Sequence, residues 1–143
     1  MTAKTSPEGV RRIDQREGEK LKAYRDSRGF WTIGVGHLTN AFFRVFPGLT
    51  ISKEKSLELL AHDLGAVEAT INAVVRRPIT QYQFDALASF GFNIGVGGLA
   101  HSSVVRLINE GRMADAANAF MDWVKPEEIR SRRDSERRQF LGA

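Results

Sequence analysis

Apolar positions at helical spacing dominate the middle of the chain. Leu57, Leu60, Leu64, Val67, Ile71 and Val74 step by 3, 4, 3, 4 and 3 residues. One unbroken stripe of that period predicts a long amphipathic helix over about 52–76, ended by Pro78. Thr80-Gln81-Tyr82-Gln83 has the form of a capping box and opens a further helix. Helical patterning continues over about 80–91, 102–110, 112–124 and 127–141, with breaks at the glycine-rich stretch 91–98, at Gly111 and at Lys125-Pro126. At the other end, Ser6-Pro7-Glu8 reads as N-cap, first helical residue and dipole-favourable acid. Val10, Ile13 and Glu17 then share the inward face of a short helix that Gly18 stops.

Between these helical regions the period changes. Over 22–36, Trp31, Ile33 and Val35 alternate with Thr32, Gly34 and Gly36, and Asp26-Ser27-Arg28-Gly29 supplies turn chemistry before them. A small hairpin with one bulky and one sparse face is predicted. Residues 38–50 are read as a strand or loop that completes this lobe, with Phe42 to Phe46 either lining a cleft or packing under it. The fold class is therefore α+β in one domain, 1–143. A small α/β lobe (about 10–50) is joined by the long helix (52–76) to a larger helical lobe (78–143). A cleft between such lobes is the expected ligand site.

Composition narrows the class. An apolar fraction of 42% and a charged fraction of 27% are those of an ordinary globular chain. With no cysteine, a disulfide framework and thiolate metal ligation are excluded. No apolar run approaches membrane-spanning length, and the polar first seven residues lack the apolar core of a secretory signal. The net charge of +4 and pI near 9.8 favour encounters with polyanions without choosing among nucleic acid, anionic membrane and wall polymer.

Glu17 and Asp26 are carboxylates in contrasting surroundings. The first ends an amphipathic helix, where partial desolvation suits a proton donor; the second sits in a polar turn, where it stays ionised. Two carboxyl groups with divided roles are what glycoside hydrolysis requires, and Thr32 is placed to orient a water beside Asp26. A helix-end Glu and a turn Asp are equally at home as plain structural residues, so this pattern alone does not separate the two readings.

The run from Glu17 to His37 meets every fixed position of E-G-x-x-L-x-x-Y-x-D-x-x-G-x-x-T-I-G-x-G-H. It resembles the active-site signature of phage-type (T4-like) lysozymes, the endolysins of glycoside hydrolase family 24. Phe92-Asn93-Ile94-Gly95, Ser102-Ser103, Asn109-Glu110-Gly111, Trp123, Arg132-Arg133 and Glu136 extend the resemblance more weakly into the helical lobe. The resemblance implies a muramidase that cleaves the β-1,4 bond between N-acetylmuramic acid and N-acetylglucosamine with inversion. Glu17 would be the general acid, and Asp26 and Thr32 would position and activate the attacking water. It also implies a structural ion pair between His37 and Asp63, and an arginine that reaches the catalytic Glu. Arg132 best matches that arginine and Arg133 is the alternative, because Glu127-Glu128-Ile129 stands where relatives often carry Gly-Leu. Leu38, Phe92 and Asn93 are the expected substrate-binding wall. No cofactor is implied.

Other chemistries compete less well. The three histidines lack ligand spacing, so no metal site is expected, and His62 and His101 read as surface or satisfied polar residues. In the C-terminal segment Arg130, Arg132, Arg133, Arg137 and Arg138 are interleaved with Glu127, Glu128, Asp134 and Glu136. Charges so nearly balanced argue against a nucleic-acid arm, and the helical period pairs some of them inside. The glycines at 34, 36, 95, 97 and 98 do not have dinucleotide-loop spacing and suit close backbone approach instead. A lytic transglycosylase needs no water-activating pair, and a cationic membrane-disrupting or wall-binding protein needs no catalytic group. The expected partner is bacterial peptidoglycan, with no nucleic acid, no stable membrane insertion and a monomeric state. The enzyme would stay in the host cytoplasm until a separate holin gave it access to the periplasm and wall, with lysis of the host as the outcome.

Overall fold

The computed structural model describes residues 2–143. The described chain falls into two compact units: Val10–Asp63, and a second built from residues 2–9 with Leu64–Ala143.

The smaller unit opens in helix α1 (Pro7–Glu17), whose first residues belong to the other unit. Ser6 caps it as expected, its hydroxyl accepting from the amide of Gly9 at 3.0 Å. Three strands follow, β1 (Lys20–Arg25), β2 (Trp31–Gly34) and the two-residue β3 (His37–Leu38), in one antiparallel sheet of that order. Tyr24 pairs with Thr32 and Arg25 with Trp31, and the register shifts between Lys20 and Tyr24. Ile33 pairs with His37 and Thr32 with Leu38 across the tight return through Gly34 and Gly36. Gly34 has φ +65°, which favours glycine, and a Cβ there would also stand in tight contact, 3.0 Å from the Ser56 hydroxyl.

The stretch after Leu38 is mostly irregular rather than a strand, touching the sheet again only where Thr50 bridges to Lys22. Phe43 and Val45 pack into the core of Ala23, Ile33 and Leu59, whereas Phe42 and Phe46 stay exposed. The segment therefore divides, one pair packed inward and the other facing solvent. Helix α2 (Lys53–Asp63) closes the unit with Leu59 and Leu60 buried.

The long helix predicted over 52–76 is two helices, α2 and α3 (Gly65–Val74), which meet at a turn on Leu64. The apolar stripe crosses that turn unbroken: Leu60, Leu64, Val67 and Ile71 are all buried, while Leu57 and Val74 are only partly so. Periodicity of side chains cannot register such an interruption, because Leu64 itself keeps a helical backbone conformation and its carbonyl still accepts from the amide of Glu68 at 2.9 Å. The helix stops at Val74, before Pro78.

In the helical unit, α4 (Gln81–Ile94) begins at the expected box, with Thr80 and Gln83 exchanging side-chain-to-backbone bonds. It runs through Gly91 instead of breaking there. A Cβ at Gly91 would stand 2.7 Å from Leu99 and 2.8 Å from Val67, so this glycine serves packing rather than a turn. The rest of the glycine-rich stretch contains a short helix, α5 (Val96–Ala100), and then α6 (Ser103–Asn109) and α7 (Met113–Ala119) follow. Past Ala119 the predicted helix tightens into a 3-10 turn, Phe120–Asp122, and a second 3-10 turn, Glu127–Ile129, leads into α8 (Arg130–Phe140). Phe120 lies at 5.0 Å from Phe90 and 5.5 Å from Phe140, ring centre to ring centre, which ties α4 to α8 through one aromatic cluster. The N-terminal residues dock on this unit through their backbone. Ala3 exchanges two bonds with Asn72, and Thr5 donates to Glu68 at 2.8 Å. Ser6 donates to the buried carboxylate of Asp85 at 2.9 Å.

Candidate functional site

Glu17 is the last residue of α1, half-buried, with the left-handed Gly18 turning the chain toward β1. It is less sheltered than the inward-face pattern suggests; the most enclosed side chains on that helix are Ile13 and Asp14.

Asp26 occupies the hairpin turn, and its geometry is set by backbone. Its Oδ1 accepts from the amides of Arg28 and Phe30, both at 2.9 Å, and its Oδ2 accepts from the Arg28 guanidinium at 3.2 Å. These bonds exist only for the ionised carboxylate at full strength, so they hold its pKa below the ordinary Asp value. The Phe30 amide is the largest cause, followed by some opposing desolvation and then Arg28. Asp26 is thereby kept charged, as the polar turn implied.

Thr32 lies opposite Tyr24 on β2 and is 2% exposed. Its hydroxyl donates to the carbonyl of Phe30 at 3.0 Å. With its proton engaged there, the hydroxyl oxygen can only accept from a further partner. Phe30 thus joins the two residues through its backbone, donating to Asp26 and accepting from Thr32.

His37 is 1% exposed, and both ring nitrogens face acceptors. Nδ1 lies 2.7 Å from Oδ2 of Asp63 and Nε2 lies 3.1 Å from the carbonyl of Phe43. Both bonds form together only with a doubly protonated ring. The pair ties the sheet to the end of α2 and fixes the Phe43 loop. Of the other histidines, His62 stacks on Phe42 at 3.9 Å and His101 bonds the carbonyl of Gly97 at 3.0 Å, both at the surface.

Leu38 shares a groove of about 340 Å³ with Phe30, Trp31, Thr39 and Val45. Sequence pattern does not single out Phe30 and Trp31 as groove residues, because they pass as members of the hairpin. The hint is Phe30, a large apolar side chain 54% exposed at a turn, covered on one face by Arg28 at 4.9 Å.

Phe92, Asn93 and Arg132 belong to the helical unit, where Phe92 is half-buried and Asn93 exposed. Asn93 accepts from the guanidinium of Arg133. Arg132 and Arg133 both bind the fully buried carboxylate of Glu136, at 3.1 and 2.7 Å, and Arg132 also donates to the carbonyl of Ser89 at 2.9 Å. The interior pairing expected for this helix is present. Glu136 is what both arginines share. Among the described residues, no group of three or more His, Asp or Glu side chains is placed to hold a metal ion. No described helix is long and apolar enough to cross a membrane.

The profile of the family described as phage lysozyme matches residues 14–139. The endolysin of Salmonella phage P22 is 47% identical over 141 residues, covering 95% of this chain and 97% of that protein. Among solved structures, a point mutant of P22 lysozyme superposes with a TM-score of 0.93 at 45% identity, over 97% of this chain and 99% of the other. The muramidase domain of SpmX from Asticaccaulis excentricus gives 0.86 at 37% identity, over 96% and 97%.

Proposed function

Because the chain belongs to the phage lysozyme family and is a cell-wall lytic, lysozyme-type hydrolase, we propose that it is a muramidase acting on bacterial peptidoglycan. The bond cleaved is the β-1,4 link between N-acetylmuramic acid and N-acetylglucosamine, and the anomeric configuration is inverted. The whole chain acts as one lysozyme-like domain. It works as a monomer, reaching the wall from the host cytoplasm through a separate holin.

The single observation that carries the roles is the amide-held carboxylate of Asp26. A carboxylate kept ionised by two backbone amides is a poor proton donor and a good partner for water. The general acid for the leaving oxygen therefore falls to Glu17, the other carboxyl of the signature. Asp26 takes a proton from the attacking water. Thr32, whose own proton is engaged by Phe30, accepts a bond from that water and so fixes its second hydrogen. Two roles for two carboxyl groups, with a water between nucleophile-side groups and sugar, is the inverting arrangement. Leu38, Phe30 and Trp31 offer apolar surface for a sugar face, and Phe92 and Asn93 are further candidates for glycan contact.

The test is product analysis of purified peptidoglycan. New reducing-end N-acetylmuramic acid, first formed as the α-anomer by proton NMR, is expected. An initial β-anomer contradicts inversion, and a 1,6-anhydro product identifies a lytic transglycosylase instead.

A further inference from the structure

A cluster outside the signature chemistry surrounds the stretch that carries Glu17. Lys53, the first residue of α2, donates through Nζ to Oδ2 of Asp14 and, at 2.9 Å, to Oε1 of Glu19. Asp14 lies in the last turn of α1, where its carbonyl accepts from Gly18 at 2.9 Å; Glu19 follows that left-handed glycine and leads into β1. One ammonium group is therefore fastened to both sides of the helix-to-strand turn, and Glu17 lies between the two attachment points.

The cluster is not built for stability alone. The Asp14 and Glu19 side chains are only 6% and 14% exposed, and two carboxylates share one ammonium. The remaining oxygen of Asp14, Oδ1, is buried without a hydrogen-bond partner, and Ser56, one turn along α2 from Lys53, is buried beside the cluster. Buried polar atoms left unsatisfied are costly, and an apolar contact at this place would hold α1 against α2 at lower cost. What an apolar contact would not do is fix direction. Charge-assisted bonds to two points define the orientation of the intervening turn in a way that non-directional packing cannot. Lys53 stays firmly ionised in this setting, its pKa raised first by the bond to Asp14 and then by that to Glu19, against desolvation. Glu19 moves the opposite way: burial pushes its pKa up, but the bond from Lys53 and neighbouring polar groups hold it below the ordinary Glu value.

We propose that Lys53 is a positioning residue for the hydrolysis, clamping Asp14 and Glu19 so that the turn between them presents the Glu17 carboxyl in its productive orientation. The proposal rests on the role of Glu17 given above. Misplacement of a reacting group by about 1 Å can cost on the order of a hundredfold in rate. Loss of the clamp is therefore expected to reduce kcat by about tenfold or more. KM should stay within about twofold, since Lys53 is assigned no contact with the glycan.

Lys53→Met leaves two carboxylates unneutralised and can unfold the chain for that reason alone. The companion variant is the double substitution Asp14→Asn with Lys53→Met, which removes one charge of each sign. Kinetics on soluble peptidoglycan fragments and Tm are measured for both, with Lys53→Arg as a rescue and Glu17→Gln as a reference. The proposal predicts that the double variant melts higher than Lys53→Met yet keeps the low kcat and near-normal KM, and that Lys53→Arg retains part of kcat. Recovery of kcat together with Tm in the double variant overturns it, because Lys53 would then serve charge balance only. Full kcat in a folded Lys53→Met variant also overturns it. If Glu17→Gln is inactive in either of those cases, the clamp alone fails. If Glu17→Gln turns over normally, the functional assignment fails and the clamp falls with it.

Discussion

The amide of Phe30 donates to Oδ1 of Asp26 at 2.9 Å, and the amide of Asp26 donates back to the carbonyl of Phe30 at 2.9 Å. This reciprocal closure makes the hairpin turn a rigid cradle for the carboxylate, which therefore needs no packing around it to be held in place. Asp26→Asn keeps an oxygen acceptor for both amides and removes the charge. The fold should persist, with Tm within a few degrees of wild type, while lysis of peptidoglycan falls by roughly a hundredfold or more. Near-normal turnover by the Asp26→Asn enzyme would remove Asp26 from the mechanism.

The same cradle has a pH signature. The folded pKa of Asp26 lies below its ordinary value of 3.8, so its bonds favour the native state fully above that value. Their contribution is lost as pH falls through the folded pKa. In urea denaturation the stability advantage of wild type over Asp26→Asn should be constant near neutrality and shrink as pH drops below 3.8. A difference independent of pH down to the acid transition contradicts the assigned bonds.

Thr32 separates structure from chemistry. Thr32→Val conserves shape and loses the bond to Phe30, at an expected cost of about 1 kcal/mol. Phe30's carbonyl is still served by the Asp26 amide, so the turn should survive. Activity should collapse in the Val variant and largely return in Thr32→Ser, which restores the acceptor. Equal activity of Val and Ser variants in a turbidity assay on permeabilised cells would show that the hydroxyl has no part in water placement.

His37 Nδ1 lies 2.7 Å from Oδ2 of Asp63, and this contact is expected to serve the fold rather than the reaction. Asp63→Ala leaves the buried imidazole without its anion, and breaking a buried pair typically costs about 3–5 kcal/mol. Because the Asp63 side chain is 20% exposed, solvent offsets part of this, and a loss of about 2–3 kcal/mol is expected from chemical denaturation near pH 5. Catalysis per folded molecule should be unchanged. A variant of unaltered stability would mean that water replaces Asp63 at no cost.

The sequence exposes some of these relationships and hides others for identifiable reasons. Ser6 and Thr80 are read correctly as caps because their partners are three residues away, within reach of local rules. The segment from Glu17 to His37 carries its resemblance in fixed spacings, so Glu17, Asp26 and Thr32 are legible as candidates without coordinates. Gly91 reads as a breaker because its purpose, the approach of Val67 and Leu99, involves residues distant in the chain. Lys53 is invisible for the same reason: a lysine at a helix start reads as a solvated charge, and its partners stand 39 and 34 residues earlier. The part of Phe30 in the turn is hidden differently, since there it acts through its backbone and any residue type but proline could supply the amide and carbonyl.

The most direct test of the central claim is Glu17→Gln, an isosteric change that removes the transferable proton. Wild type and variant are purified, matched for Tm and compared by release of reducing ends from purified peptidoglycan. The assignment of Glu17 as the general acid predicts a rate lower by roughly a hundred- to ten-thousand-fold with the fold intact. A folded Glu17→Gln protein that releases reducing ends at the wild-type rate contradicts it.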